Sequence, residues 1–237
     1  MPPERTKRHP VPRKKARPAE REEGPQRIAI DGTKVATPAT LLTSLKGITV
    51  DGKPIRAAQS TRLFRFYKPA GTLTAAHDPK GRPTIYDKLP QGLPRVMPVG
   101  RLDFMTEGLL LLTNDGEFKR QLELPRSGVV RTYRARAFGN VTQEQLEALA
   151  EGVTIEGMHY GSIDANLERR TGRNCWIEMS LTEGKNREVR RVLAHLGLQV
   201  SRLIRTAYGP LDLAGLQPGD VDEVTHPALA ALRATLK

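Results

Sequence analysis

The stretch VGRLDFMTEGLLLLTNDG, residues 99–116, sets one carboxylate, Asp103, in a polar loop between two apolar segments. Arg101 precedes it, and Thr106 and Glu107 follow. Gly100 and Gly108 bracket the loop and permit tight turns or close approach of a substrate. A carboxylate on a loop fixed between two strands is suited to act as a nucleophile. Most loop aspartates are instead solvated or bonded to their own backbone, so residue type alone decides nothing.

A second stretch, TEGKNREVRR at 182–191, concentrates cations. The spacing predicts a helix capped by Asn186, running to Leu196 and ended by Gly197. Val189, Val192, Leu193 and Leu196 then share one apolar face. Arg187, Arg190 and Arg191 share another, which can meet a carboxylate or a phosphate. Asn186 and the neighbouring amides are also placed to bind phosphate. Such a face is more often simply solvated, so this motif too needs company.

The elements that must carry these stretches are largely strands. Leu63–Tyr67, 96–99, 109–113, 132–138, 176–181 and 200–205 read as strands, with period-two alternation clearest at 176–181. A short helix is expected near 117–124, capped within Asn114-Asp115-Gly116, and another after the Thr142/Gln145 capping box, with Leu146 and Leu149 inward. Many strands and few helices predict an α+β domain around a largely antiparallel sheet, spanning residues 61–237. Before it, residues 26–60 hold two short strands, each followed by Asp-Gly, a strong hairpin turn signal. Residues 1–25 form a basic, Pro-rich tail expected to be disordered.

Composition narrows the partner. Thirty-eight basic residues against 26 acidic give +12 at pH 7. The first 23 residues carry eight Lys or Arg and four Glu, so the remainder is basic in its own right. Nucleic acid is the commonest partner of such a chain, through counterion release from phosphates. No run approaches the roughly 20 apolar residues that cross a bilayer, and no secretory segment is evident, so a cytoplasmic protein is expected. The single cysteine and five scattered histidines offer no zinc-type spacing.

Taken in order, these motifs resemble those of RsuA/RluB-type ribosomal pseudouridine synthases. GRLD with T-x-G-LLLLTNDG resembles the family's catalytic motif. Lys68-Pro69-Ala70-Gly71 with Asp78 to Thr84 resembles its opening segment, Arg131-Thr132-Tyr133 its basic-x-Tyr strand, and Glu183 to Arg191 its late basic motif, followed by Ser201 to Arg205. The wording between motifs is most similar to the RluB branch, which acts on large-subunit ribosomal RNA.

The resemblance implies a pseudouridine synthase fold and an isomerase that converts a uridine in large-subunit ribosomal RNA to pseudouridine without a cofactor or metal. It implies Asp103 as nucleophile, Arg190 as the cation that keeps it ionised, and Tyr133 as the ring that stacks on the freed uracil. Arg101, Lys185, Asn186, Arg187, Arg191 and Arg205 are the expected RNA contacts, with Lys80, Arg82 and Arg202 behind them. A monomer is expected. Residues 28–55 resemble only the β half of an S4 RNA-binding module; the basic tail stands where its helices would be. Two other readings compete: a catalytically silent RNA-binding protein of the same fold, and a glycosidase-like hydrolase pairing Asp103 with Glu107. Asp103, Tyr133 and Arg190 together favour the synthase.

Overall fold

A computed structural model describes residues 28–35, 46–55 and 60–236. The expected basic tail lies outside these residues. The chain divides into two compact units, 1–60 and Thr61–Lys237.

In the first unit, strands β1 (Ile28–Ile30), β2 (Thr33–Lys34), β3 (Ile48–Val50) and β4 (Lys53–Pro54) form one antiparallel sheet in the order β2-β1-β3-β4. Both Asp-Gly pairs sit at its turns with positive φ at each residue: 47° and 82° for Asp31-Gly32, 52° and 73° for Asp51-Gly52. That is the type I′ geometry, whose twist matches the flanking strands. The two sequence-similar hairpins pair through β1 and β3.

The second unit runs β5 (Leu63–Lys68), β6 (Met97–Pro98), β7 (Thr106–Thr113), α1 (Gly116–Glu123), β8 (Arg131–Phe138) and α2 (Gln143–Glu147). It continues β9 (Val153–Ile155), β10 (Met158–Tyr160), β11 (Ile163–Thr171), β12 (Asn174–Leu181) and α3 (Glu188–His195). It ends β13 (Gln199–Tyr208), β14 (Leu211–Asp212), β15 (Val221–Glu223) and α4 (His226–Ala234). Nine of its strands make one sheet in the order β11-β12-β8-β13-β7-β5-β15, with β14 on β13 and β6 on β7. Only β13 with β7 is parallel among these pairings. The fold is therefore the expected α+β, a mixed and mainly antiparallel sheet flanked by helices.

The sequence of β7 explains its place. Leu109 to Leu112 are wholly buried because both faces of the strand are covered. Leu109 and Leu111 pack with Phe118 and Leu122 of α1 and Leu229 and Leu232 of α4. Leu110 and Leu112 pack on the other side with Phe66, Ile85 and Leu102. A third cluster joins Ala135, Ala137, Ile177 and Met179 to Leu146 and Leu149 and to Val189, Val192 and Leu193 of α3.

Two local expectations are corrected and a third is met. The polar loop closes earlier than Gly108, because β7 already begins at Thr106. There Gly108 adopts φ +104°, and a Cβ would stand 2.3 Å from the carbonyl oxygen of Arg205 on β13. Asn186 does not cap α3; the N-cap is Arg187, in the left-handed region at φ 52° and without a side-chain cap bond. The cap of α1 is Asp115, which accepts from the amides of Glu117 and Phe118.

Candidate active site

Asp103 opens a four-residue turn closed by a bond from the Thr106 amide to its carbonyl, 3.0 Å. The turn is pinned from several elements. The Gly71 amide donates to Phe104 O at 2.8 Å. Thr74 Oγ1 donates to Leu102 O at 3.0 Å and accepts from the Leu102 amide at 3.3 Å. Lys68, at the end of β5, is fully buried and donates from Nζ to Pro69 O (3.0 Å), Phe104 O (3.4 Å) and Thr106 O (2.8 Å). Burial lowers its ammonium to about 8, against the opposing pull of the Asp103 and Glu107 carboxylates. From α1, Glu123 Oε1 accepts from the Gly100 amide at 2.6 Å, while Lys119 Nζ holds both Glu123 oxygens at 2.6 Å. Neither Lys68 nor Glu123 is marked as a support by its local sequence, since Lys68 acts on a turn 36 to 38 residues away and Glu123 on an amide 23 residues away.

The cations arrive on the segment joining β12 to α3. Arg187 Nη1 lies 3.5 Å from Asp103 Oδ2, with about half of its side chain exposed and about a third of the aspartate's. Arg190, the expected partner, makes no such pair among the described residues. It is half-buried and donates to Val200 O at 3.3 Å. Desolvation and the neighbouring Arg187 lower its pKa, and Asp103 acts on it only through space. The left-handed backbone at Arg187 is the physical reason for the exchange: it puts the N-cap side chain, one turn ahead of Arg190, beside the carboxylate. A residue held in that region costs of order 1–3 kcal/mol, which is commonly found at functional sites.

The base of the same segment is held from below. Arg131 is buried and donates to the carbonyls of Val129 (3.1 Å) and Thr182 and to Tyr208 Oη (3.2 Å). Lys185 Nζ is engaged by Glu183 Oε2 at 2.6 Å and His159 O at 2.8 Å. Its ammonium is thus held by internal partners while it lines the cavity described next. Glu188 is buried with Oε1 unpaired, and desolvation raises its pKa.

Between the two segments lies a cavity of about 830 Å³, lined among others by Asp103, Tyr133, Arg101, Asn186, Arg187 and Arg205. Tyr133 enters from β8, where it pairs with Met179 on one side and Arg205 on the other. The exposed Arg101 makes no ion pair among the described residues, so its guanidinium is available to a ligand. Arg205 is buried rather than a surface contact: Nε donates to Leu109 O at 2.7 Å and Nη2 has no partner. Arg191 is exposed and does not line the cavity. Arg202 and Arg82 are paired elsewhere, with Glu107 at 2.7 Å and Asp78 at 2.9 Å. Glu107 is thus bound to Arg202 and Tyr67, and Arg202 holds its carboxyl below the usual range. It does not line the cavity that Asp103 lines.

A carboxylate, an aromatic ring and a cation around a cavity roomy enough for a nucleotide, in this fold, define a class. Residues 62–195 match the RNA pseudouridylate synthase family, and the chain belongs to it. An RNA pseudouridine synthase of Rickettsia typhi, itself uncharacterised, is 41% identical over 203 residues, 86% of this chain and 83% of the relative. Ribosomal large subunit pseudouridine synthase B of Salmonella typhi is 40% identical over 216 residues, 87% of this chain and 74% of the relative. A crystal structure of a pseudouridylate synthase superposes with a TM-score of 0.65 at 26% identity, covering 87% of this chain and 89% of that one.

Proposed function

We propose that this RNA pseudouridine synthase isomerises a uridine of large-subunit ribosomal RNA, with Asp103 as nucleophile and no cofactor. The observation that carries the reading is the meeting of Asp103, Arg187 and Tyr133 at one cavity. The uridine C1′–N1 bond breaks, a C1′–C5 bond forms, N1 takes up a proton and C5 releases one. Composition and oxidation state are unchanged, so the conversion calls for no outside group. Asp103 meets the ribose as the base leaves. The target must first leave its stack, which costs a few kcal/mol, and the Tyr133 ring replaces the lost neighbour. It also keeps the freed uracil in place while it turns. Arg187 holds the carboxylate in position, and Arg101 and Asn186 at the rim contact the RNA backbone. The large-subunit substrate is supported by the relatives named for it. Residues 28–55 are read as the β half of an S4 module that adds a weaker RNA contact.

The test is incubation with ribosomal RNA transcripts carrying tritium at uridine C5. Tritium release from the large-subunit transcript and not from the small-subunit one is expected. Release confined to the small-subunit transcript, or none from either RNA or from assembly intermediates, contradicts the reading.

A further inference from the structure

Along β12 and the second half of β8, buried residues alternate with more exposed ones and so separate two faces of the sheet. Ala135, Ala137, Cys175, Ile177 and Met179 point into the core, and Tyr133 shares that side with the cavity. Residues between them point the other way, where α1 and α4 pack on β5 and β7 instead. On this open side Trp176 stands directly across from Arg136 on β8 and from Arg169 on β11. The Arg134 guanidinium lies 5.2 Å from the Trp176 ring centre. At the end of the same strands Phe138, 41% exposed, carries Arg173 at 4.5 Å from its ring centre.

Part of this charge is spoken for. Arg134 pairs with Glu168 at 2.7 Å, and Glu178 faces Arg134 across the ladder. Arg136, Arg169 and Arg173 are exposed and have no ion pair among the described residues. Three unpaired guanidiniums around two partly exposed rings are a poor surface for a core and a good one for a polyanion with flat bases. Guanidinium forks match phosphate oxygens, and ring faces stack on bases of any sequence.

We propose that this face is a second RNA-binding surface, which takes a segment of the substrate RNA away from the target uridine by stacking on Trp176 and Phe138 and by phosphate contacts from Arg136, Arg169 and Arg173. Because it lies on the side of the sheet opposite Tyr133, one RNA reaches both only by passing around an edge such as β11. The surface therefore serves a large folded RNA and is idle with a short oligonucleotide around the target. The inference rests on the enzyme acting on RNA and not on which uridine it converts.

Trp176 is the only tryptophan of the chain, so its emission reports on the face directly. The full chain is titrated with a large-subunit ribosomal RNA transcript while Trp176 fluorescence is read, and tritium release is measured on the same transcript. A fall of about twofold in emission at saturation is expected from base stacking. Arg136→Glu with Arg169→Glu is expected to weaken binding about tenfold and to lower the salt slope by about two, with kcat at saturating RNA within about twofold of the parent. Phe138→Ala gives a smaller loss of affinity without a charge change. Unchanged emission at RNA concentrations that saturate turnover overturns the proposal. So does parent-like affinity and salt slope in the double variant, which would leave the face to a protein partner. Absence of tritium release from the parent would count against pseudouridylation itself and leaves the fluorescence result to stand alone.

Discussion

The two segments that meet at the cavity are held in different ways. The Asp103 turn is fixed by side chains and amides from β5, the segment after it and α1, through Lys68, Gly71, Thr74 and Glu123. The Thr182–Arg187 segment is fixed at its base by Arg131 and Lys185, but its tip carries Arg187 half-exposed on a single 3.5 Å contact. The proposed nucleophile is thus held by many contacts within the fold, and the cation beside it by few. Such a division suits a reaction in which the ribose must meet a carboxylate at a set distance while the base turns. A half-exposed guanidinium beside the carboxylate is also within reach of a phosphate entering the cavity.

Among changes to the groups that hold Asp103, the largest expected effect breaks the more exposed side. Arg187→Met should lower the single-turnover rate of tritium release about thirtyfold, roughly the 2 kcal/mol of a charge-assisted contact. Arg190→Met should lower it less, since that residue faces Val200 O. The reverse order would mean that the ion pair passes to Arg190 when RNA binds.

A smaller effect sharpens the pinned side. Glu123→Ala frees the Gly100 amide and should lower kcat about tenfold with KM unchanged. Glu123→Gln keeps an acceptor for that amide and should recover most of the rate. Equal loss in both variants would show that the charge toward Lys119, and not the bond to Gly100, is what matters.

The smallest effect is in pH. Lys68 titrates at about 8, well below its unfolded value. Above that pH the neutral amine can donate only two of its three bonds, so kcat should fall about threefold between pH 7.5 and 9. Fold stability should not fall with it. Between about 8 and 10.5 the unfolded chain binds more protons at this residue than the native one, so this group's contribution to stability rises with pH. Lys68→Arg, charged throughout, should flatten the activity profile; an unaltered profile in that variant would place the titration elsewhere.

What the sequence made legible was local. Leu109–Leu112, the paired Asp-Gly turns, the alternation of β12 and the apolar face of α3 follow from neighbours within a few residues, and all are present. The edge strand β11 escaped because its second half is exposed and polar, which leaves no apolar period to read. The start of β7 escaped because Gly108 answers to Arg205, far along the chain. The site shows the same limit. Asp103 and Tyr133 were found by motif and do line one cavity. The exchange of Arg190 for Arg187 depends on one left-handed backbone angle that an Asn-Arg-Glu sequence does not announce. Lys185 and Arg205 looked like phosphate contacts by charge alone; their carboxylate and carbonyl partners appear only once the sheet is assembled.

The most direct test of the central claim is single-turnover tritium release from the large-subunit transcript by the parent and by Asp103→Asn, with RNA binding measured in parallel. Loss of release by at least about a thousandfold with binding retained within a few-fold is predicted, because asparagine keeps the shape but is no nucleophile. Release from Asp103→Asn within about tenfold of the parent would contradict the account and move the chemistry to another residue of the cavity.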